Sequence, residues 1–275
     1  MTYLAQMDGQ TGFLEAKVDR DLGKELEAAY NAASPFPHIV IDDFLPPEIL
    51  DSVLDCCAEL AQDEESISFD RDQERFKTSY QPDRLPDDVR RLFYSFNSKP
   101  FIKLVENITG IKGLIPDPYF LGAGIHEIRQ GGHLSVHADF NHHKPMNLER
   151  RINVLIYLNK NWKSEFGGGL ELWNEAMTVR EHDIVPVFNR CVIFNTTQNS
   201  MHGNPQPISH PDGVSRKSIA LYYYTSTWTN QKRSRTTQFK VRKNSTDRPD
   251  WRVKTQEFVS EVLPPFIARR IIRFI

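Results

Sequence analysis

The chain has 275 residues, 39% apolar and 25% charged, with a formal net charge of −2. This composition suits a globular protein with one large core or two small ones and excludes a collagenous or low-complexity chain. With no overall basic charge, no nucleic-acid partner is expected.

The opening "MTYLAQMDGQ" has no basic run followed by an apolar run, so no secretory signal is expected. No apolar stretch approaches the ~20 residues needed to span a bilayer, so no transmembrane segment is expected. "DLGKELEAAYNAA" (21–33) sets Leu22, Leu26, Ala29, Tyr30 and Ala33 on one helical face. "HIVIDDFL" (38–45) reads as a short strand. Pro46 and Pro47 then open a second helix, in which Leu50, Val53, Leu54, Cys57 and Leu60 recur at helical spacing. Cys56, Cys57 and Cys191 are odd in number and two are adjacent, a poor disulfide framework; a reducing, cytoplasmic setting is expected. Residues 63–86, "DEESISFDRDQERFKTSYQPDRLP", are polar and weakly periodic and predict a long loop that could serve as a lid. "DDVRRLFYSFN" and "PFIKLVENIT" predict two further helices.

From about Phe120 the pattern changes to short β-type runs broken by Gly, Asn and Pro: "INVLIYLN", "GGLELW", "RCVIFN" and "KSIALYYYT". Many short strands at this spacing predict an antiparallel sandwich or barrel. The glycines at 167–169 read as a tight connection rather than a phosphate cradle, because no helical pattern comes after them. From Gln231 to Ile275 there are twelve Lys or Arg against four Asp or Glu, read as a solvated face in preference to an anionic partner's site. The terminal "PPFIARRIIRFI" is expected to be a helix docked on the domain rather than on a membrane.

"HLSVHADFNHH" (133–143) gathers four histidines and one aspartate. His137 and Asp139 are two apart, and in a strand they project from one face. A third metal ligand must come from a distant segment, and His202 in "TQNSMHGNPQP" is the candidate. Two histidines and a carboxylate on one side of a metal leave the opposite positions open, as in non-haem Fe(II) oxygenases. Taken alone this pattern is weak, but residues further along the chain add weight. Arg216, fourteen residues after His202, shares a strand face with Ser218, Ala220 and Tyr222, and an arginine fork beside a hydroxyl suits a carboxylate. Asn153, Leu155 and Tyr157 share another face, so Tyr157 offers a second hydroxyl. The order of metal ligands, then carboxylate clamp, points to an oxygenase with a small diacid co-substrate.

With these residues in place, the segment from about Phe120 to Thr225 resembles the Fe(II)- and 2-oxoglutarate-dependent dioxygenases, in their prolyl-4-hydroxylase-like branch. The resemblance lies in "HLSVHADFN", "RRINVLIYLNKNW", "GGGLELW", "VIFNTTQNSMHG" and "SRKSIALYYY". It implies a mainly β fold with flanking helices, a double-stranded β-helix (a cupin-like jelly roll) with N-terminal helices packed on one side. On that basis residues 1–119 are a helical and strand support of the same domain, 120–228 the catalytic core, and 229–275 a basic extension with a terminal helix. It implies His137, Asp139 and His202 as iron ligands, and Arg216 on the distal carboxylate of 2-oxoglutarate, helped by Tyr157 and Ser218. Asn153, which faces the same way as Tyr157, is a further candidate to bind the co-substrate or line the cavity. It implies Fe(II), 2-oxoglutarate and O2, with ascorbate as a candidate reductant. The implied reaction hydroxylates an unactivated C–H bond and decarboxylates 2-oxoglutarate to succinate and CO2. One departure is Ile128, at a position where many relatives carry a tyrosine; His126 is a candidate to line the same cavity.

The substrate is either a prolyl residue of a protein or a small metabolite, saccharide or natural-product intermediate, and the oligomeric state is open. Two other classes remain: a cupin-like protein that holds metal without turnover, and a zinc hydrolase, which would need a general-base glutamate. His133 need not bind metal, and His142 and His143 are expected on an exposed loop. Arg150 and Arg151 are expected in surface salt bridges rather than on an anionic substrate. Trp162 and Trp173 are expected in packing, and Asn195 is a candidate inward residue.

Overall fold

A strand buried on both faces must be apolar at successive positions, and the central strands here are. The computed structural model describes residues 3–60, 66–229, 231–243, 245–263, 267 and 270–271. In chain order the elements are β1 (Ala5–Met7), β2 (Leu14–Ala16), α1 (Arg20–Ala32), β3 (His38–Ile41), α2 (Pro47–Leu60), β4 (Ile67–Arg71), β5 (Glu74–Tyr80), α3 (Asp87–Phe96), α4 (Lys99–Thr109) and β6 (Ile115–Pro116). There follow β7 (Gly124–Ala138), β8 (His142–His143), β9 (Leu148–Tyr157), β10 (Leu170–Trp173), β11 (Arg180–Ile184), β12 (Cys191–Asn195), β13 (Met201–Asn204), β14 (Arg216–Thr225), β15 (Gln238–Phe239) and α5 (Trp251–Val262).

The main sheet runs β11-β10-β13-β7-β14-β9-β12-β3, and all its pairings between strands are antiparallel. It curls into a double-stranded β-helix because β7 serves both layers. The first half of β7 pairs with β14, Ile128 opposite Arg216, and the second half pairs with β13, His137 opposite His202. The bend between them needs Gly132: a Cβ there would come within 2.7 Å of both the Arg75 carbonyl oxygen and Ile128 Cγ2.

Period-2 alternation divides the side chains into two cores. Ile152, Val154 and Ile156 of β9, Cys191 and Ile193 of β12, and Ile219, Leu221 and Tyr223 of β14 face outward, onto the helices. There they meet Leu50 and Val53 of α2, Phe93 and Phe96 of α3, and Phe101, Leu104 and Ile108 of α4. The alternate residues Leu155, Tyr157, Val192 and Phe194 turn into the barrel and pack with Leu170 and Leu172. Local signals bound the helices. Asp19 caps α1 by accepting from the Asp21 and Leu22 amides, and Gly110 ends α4 in the left-handed conformation, φ 73°.

One expectation is corrected. The long loop at 63–86 is in its described part mostly the hairpin β4–β5, with β5 paired along β7; residues 63–65 lie outside the described residues. A bulge at Phe76 (φ 51°) breaks its alternation, and Glu74, Lys77 and Ser79 are polar because they line a cavity. The N-terminal stretch holds a small hairpin, β1–β2, whose Leu4, Ala5 and Leu14 join the core. The terminal helix expected over 264–275 lies largely outside the described residues; the described C-terminal helix is α5, capped by Asp250. Among the described residues no helix is long and apolar enough to cross a membrane.

Candidate active site

His137 comes near the end of β7, Asp139 one residue beyond that strand, and His202 on β13 directly opposite His137. Their ligand atoms all lie within 4.8 Å of one another. His137 Nδ1 donates to the Ser135 carbonyl at 2.8 Å, and His202 Nδ1 donates to the Ser200 carbonyl at 2.8 Å. A carbonyl cannot donate, so both rings carry the proton on Nδ1 and turn an Nε2 lone pair inward. Those lone pairs lie 3.6 Å and 3.3 Å from the two oxygens of Asp139. Two imidazole nitrogens and a carboxylate converging in a buried cleft are a donor set that fits a divalent transition metal such as Fe(II).

Asp139 is held from behind. Its Oδ2 accepts from Arg150 Nη2 at 3.1 Å and from Asn153 Nδ2 at 2.7 Å. Arg150 is clamped in turn: its Nε and Nη2 donate to Asn153 Oδ1, and its guanidinium is packed over the rings of Tyr222 and Phe140. Burial opposes ionisation of Asp139, but the Arg150 charge and the two histidines outweigh it and hold the carboxyl well below the usual range. Arg150, expected in a surface salt bridge, is 2% exposed and is part of the site. Strict alternation would send Arg151, not Arg150, to the Asn153 face. Against β14, however, Tyr223 faces Ile152 and Tyr224 faces Arg150, so Arg151 is a bulge residue and the phase reverses. An Arg150→Met variant is expected to lower Co(II) or Fe(II) affinity about 10- to 100-fold, the usual range when a ligand's support is lost. Anaerobic metal titration reads it, and an unchanged affinity would contradict the role.

Arg216 lies at the other end of the same cavity, 4% exposed. Its Nε donates to the Gly168 carbonyl at 2.8 Å, and its guanidinium sits 4.9 Å from the Tyr157 ring centroid. Among the described residues no carboxylate pairs with it, and its polar neighbour is the buried Tyr157 hydroxyl. A buried guanidinium with no carboxylate partner, beside a hydroxyl, is a donor pair that fits an anion. Ser218 is buried and lines the cavity, as does Ile128; His126 lines it too and donates from Nε2 to the Gly122 carbonyl. Asn153 also lines it, with its amide engaged by Asp139 and Arg150.

The cavity has a volume of about 300 Å³. It contains a glutamate with no signal in the sequence pattern, Glu74 on β5. Its two oxygens accept from Lys77 at 2.8 Å and Arg71 at 3.1 Å. Burial raises its pKa, but Lys77 and Arg71 bring it below the ordinary value, which makes it a poor general base. His143 is not on an exposed loop: it is fully buried, with Nε2 3.1 Å from Asp117 Oδ1. His142 stacks on Trp228 at 3.9 Å, and His133 donates outward to the Asp72 carbonyl. Trp162 is core, and Asn195 Oδ1 is buried without a partner outside the cavity lining.

Burial lowers the pKa of His126 well below the ordinary value and lowers that of His137, so the fold disfavours the protonated form of both. The unfolded state therefore binds more protons below its own pKa, and stability falls as pH falls. The loss is carried chiefly by His126, whose contribution approaches about 1.4 kcal/mol per pH unit below roughly pH 6.5. Denaturant midpoints of the metal-free chain from about pH 7 to about pH 5 read this; a flat or rising midpoint would contradict it.

Residues 123–224 match the profile of the 2OG-Fe(II) oxygenase superfamily. No curated protein matches the chain. Among solved structures, the chain is similar to a prolyl hydroxylase in complex with a hypoxia inducible factor oxygen degradation domain peptide fragment from Trichoplax adhaerens. The identity is 18%, covering 78% of this chain and 94% of that one, with a TM-score of 0.55. It is also similar to the epimerase SnoN from nogalamycin biosynthesis in complex with Fe3+, alpha ketoglutarate and nogalamycin RO (12% identity, 81% and 88% covered, TM-score 0.52). A third likeness is to a prolyl 4-hydroxylase from Phytophthora capsici (16% identity, 78% and 65% covered, TM-score 0.51). At these identities the structural likenesses speak for the fold.

Proposed function

We propose that this chain, a 2-oxoglutarate-dependent dioxygenase by its 2OG-Fe(II) oxygenase domain at 123–224, hydroxylates an unactivated C–H bond of a prolyl residue in a protein. The observation that carries the reading is the pairing, in one cavity, of the His137, Asp139 and His202 cluster with a buried Arg216 that no carboxylate pairs with among the described residues. His137 and His202 would hold the metal through Nε2 and Asp139 through its carboxylate. When bound, Fe(II) supplies the redox chemistry by which O2 and 2-oxoglutarate oxidise a C–H bond, giving succinate and CO2.

The protein's own part is orientation and exclusion. The Ser135 and Ser200 carbonyls fix the imidazole tautomers, and Arg150 with Asn153 fixes the carboxylate. Arg216 grips the distal carboxylate of 2-oxoglutarate, with Tyr157 and Ser218 offering hydroxyls. Leu155, Leu170 and Phe194 give the space between the two ends an apolar lining, and excluding water there would strengthen both sets of polar contacts. The substrate then meets the wall made by β4 and β5, which carries Ile67, Phe69, Arg71, Glu74 and Lys77.

Gly168 links the glycine run to this clamp. Its φ is +69°, and a Cβ would come within 2.9 Å of Arg216 Cδ and 2.5 Å of Ile208 Cδ1. A Gly168→Ala variant is expected to push Arg216 aside and weaken 2-oxoglutarate binding on the order of tenfold, equivalent to ~1.4 kcal/mol. Isothermal titration of the metal-loaded chain reads it; unchanged affinity would contradict the placement of the co-substrate.

The prolyl reading is supported by the likeness to a hydroxylase bound to a peptide, and a small-molecule substrate by the likeness to SnoN. The test incubates the chain with Fe(II), 2-oxoglutarate, O2 and ascorbate against proline-containing peptides and a panel of small molecules. One added oxygen atom on a peptide proline, matched by one succinate, is the expected result. Oxidation confined to the small molecules would overturn the prolyl assignment and keep the oxygenase.

A further inference from the structure

The basic C-terminal extension returns to the catalytic strand. Gln238 pairs with Ala138 and Phe239 with His137, and the Lys240 amide donates to the Val136 carbonyl at 2.9 Å. His137 therefore sits in a cross-strand row, His202 on one side and Phe239 on the other. The ring centroids are 4.5 Å and 5.4 Å apart, respectively. The Phe239 ring is half-buried and lines the cavity together with Thr237. Its other neighbour is the Arg71 guanidinium, 5.0 Å from the ring centroid, which is tied to Glu74 of the hairpin and lies 3.7 Å from Asp250 beyond the strap.

The segment is anchored on both sides of the mouth. Asn141 Oδ1 accepts from the Arg235 amide at 2.8 Å, and Asn141 Nδ2 donates to the Arg233 carbonyl at 3.0 Å. On the hairpin side Gln73 Nε2 donates to the Arg248 carbonyl at 3.2 Å. These contacts reach residues on either side of the metal-ligand strand. Solvation of a loose basic tail does not call for any of them.

We propose that segment 235–240 is a wall of the active-site cavity, and that Phe239 bounds the substrate and excludes water on the flank of His137. The proposal rests on the hydroxylase reading only for what Phe239 faces; the shielding of His137 stands on geometry. An aromatic face here, joined by Phe69, Phe140 and Tyr222 on the same lining, selects a compact hydrocarbon portion of the substrate rather than a charged one.

The test uses the full chain loaded with Co(II) and 2-oxoglutarate and mixed with excess EDTA, comparing wild type with Phe239→Ala, Phe239→Leu and Lys240→Pro. Lys240→Pro removes the amide that docks the strap and leaves the ring in place. Metal release is expected to be about tenfold faster or more in Phe239→Ala and Lys240→Pro and near wild type in Phe239→Leu. The 2-oxoglutarate affinity should stay within about twofold, because the Arg216 end is untouched. Unchanged release in Phe239→Ala would overturn the proposal. So would a collapse of that variant's circular dichroism, which would make Phe239 a core residue. Should wild type give no Fe(II)·2-oxoglutarate absorption while Phe239→Ala still sheds Co(II) faster, the wall stands and the hydroxylase reading falls.

Discussion

An Asp139→Asn variant is expected to fold and to form no Fe(II)·2-oxoglutarate complex. Both Arg150 Nη2 and Asn153 Nδ2 donate to Oδ2 of Asp139, so an asparagine would keep its carbonyl oxygen there. Its NH2 would then occupy the Oδ1 position, 3.6 Å from His137 Nε2, as a donor in place of a metal ligand. Metal catalysis is worth several kcal/mol, so turnover should fall about 1000-fold or more. Asp139→Ala behaves differently in one respect. It strands the buried Arg150 charge and should also cost about 3–5 kcal/mol of stability. Metal content and denaturant midpoints of the two variants separate these effects. Retained turnover in Asp139→Asn would remove Asp139 from the metal site.

Arg216→Ala should leave Fe(II) binding alone and raise the 2-oxoglutarate concentration needed. Truncating one partner of a buried charge pair costs about 2–5 kcal/mol, which corresponds to roughly 30- to 4000-fold in affinity. Arg216→Lys should recover only part of this. A lysine restores a point charge but neither the planar fork nor the Nε brace on the Gly168 carbonyl. Titrating 2-oxoglutarate into the Fe(II)-loaded variants measures it. Wild-type affinity in Arg216→Ala would move the co-substrate's carboxylate elsewhere.

Regular elements were legible because their periods are regular. β9, β12 and β14 alternate two cores along one run of apolar residues, and the face shared by Asn153, Leu155 and Tyr157 turns into the barrel, where Asn153 and Leu155 line the cavity. His137, Asp139, His202 and Arg216 could be picked out by residue type and order, and the fold brings all four to one cavity. The residues that were not legible lie where the period breaks. The Arg151 bulge hid Arg150, and the Phe76 bulge hid the hairpin whose inward residues are polar. Phe239 was hidden for another reason: β15 is a two-residue strand that takes its meaning from a partner a hundred residues earlier. His143 looked like a loop residue until Asp117, far from it in sequence, supplied a buried neighbour.

The most direct measurement is anaerobic titration of the metal-free wild-type chain with Fe(II) and then 2-oxoglutarate, followed in the visible range. The expected result is a charge-transfer absorption that appears only when both are present and saturates at one of each per chain. A chain that binds zinc tightly at these residues and gives no such absorption with Fe(II) and 2-oxoglutarate would contradict the oxygenase site.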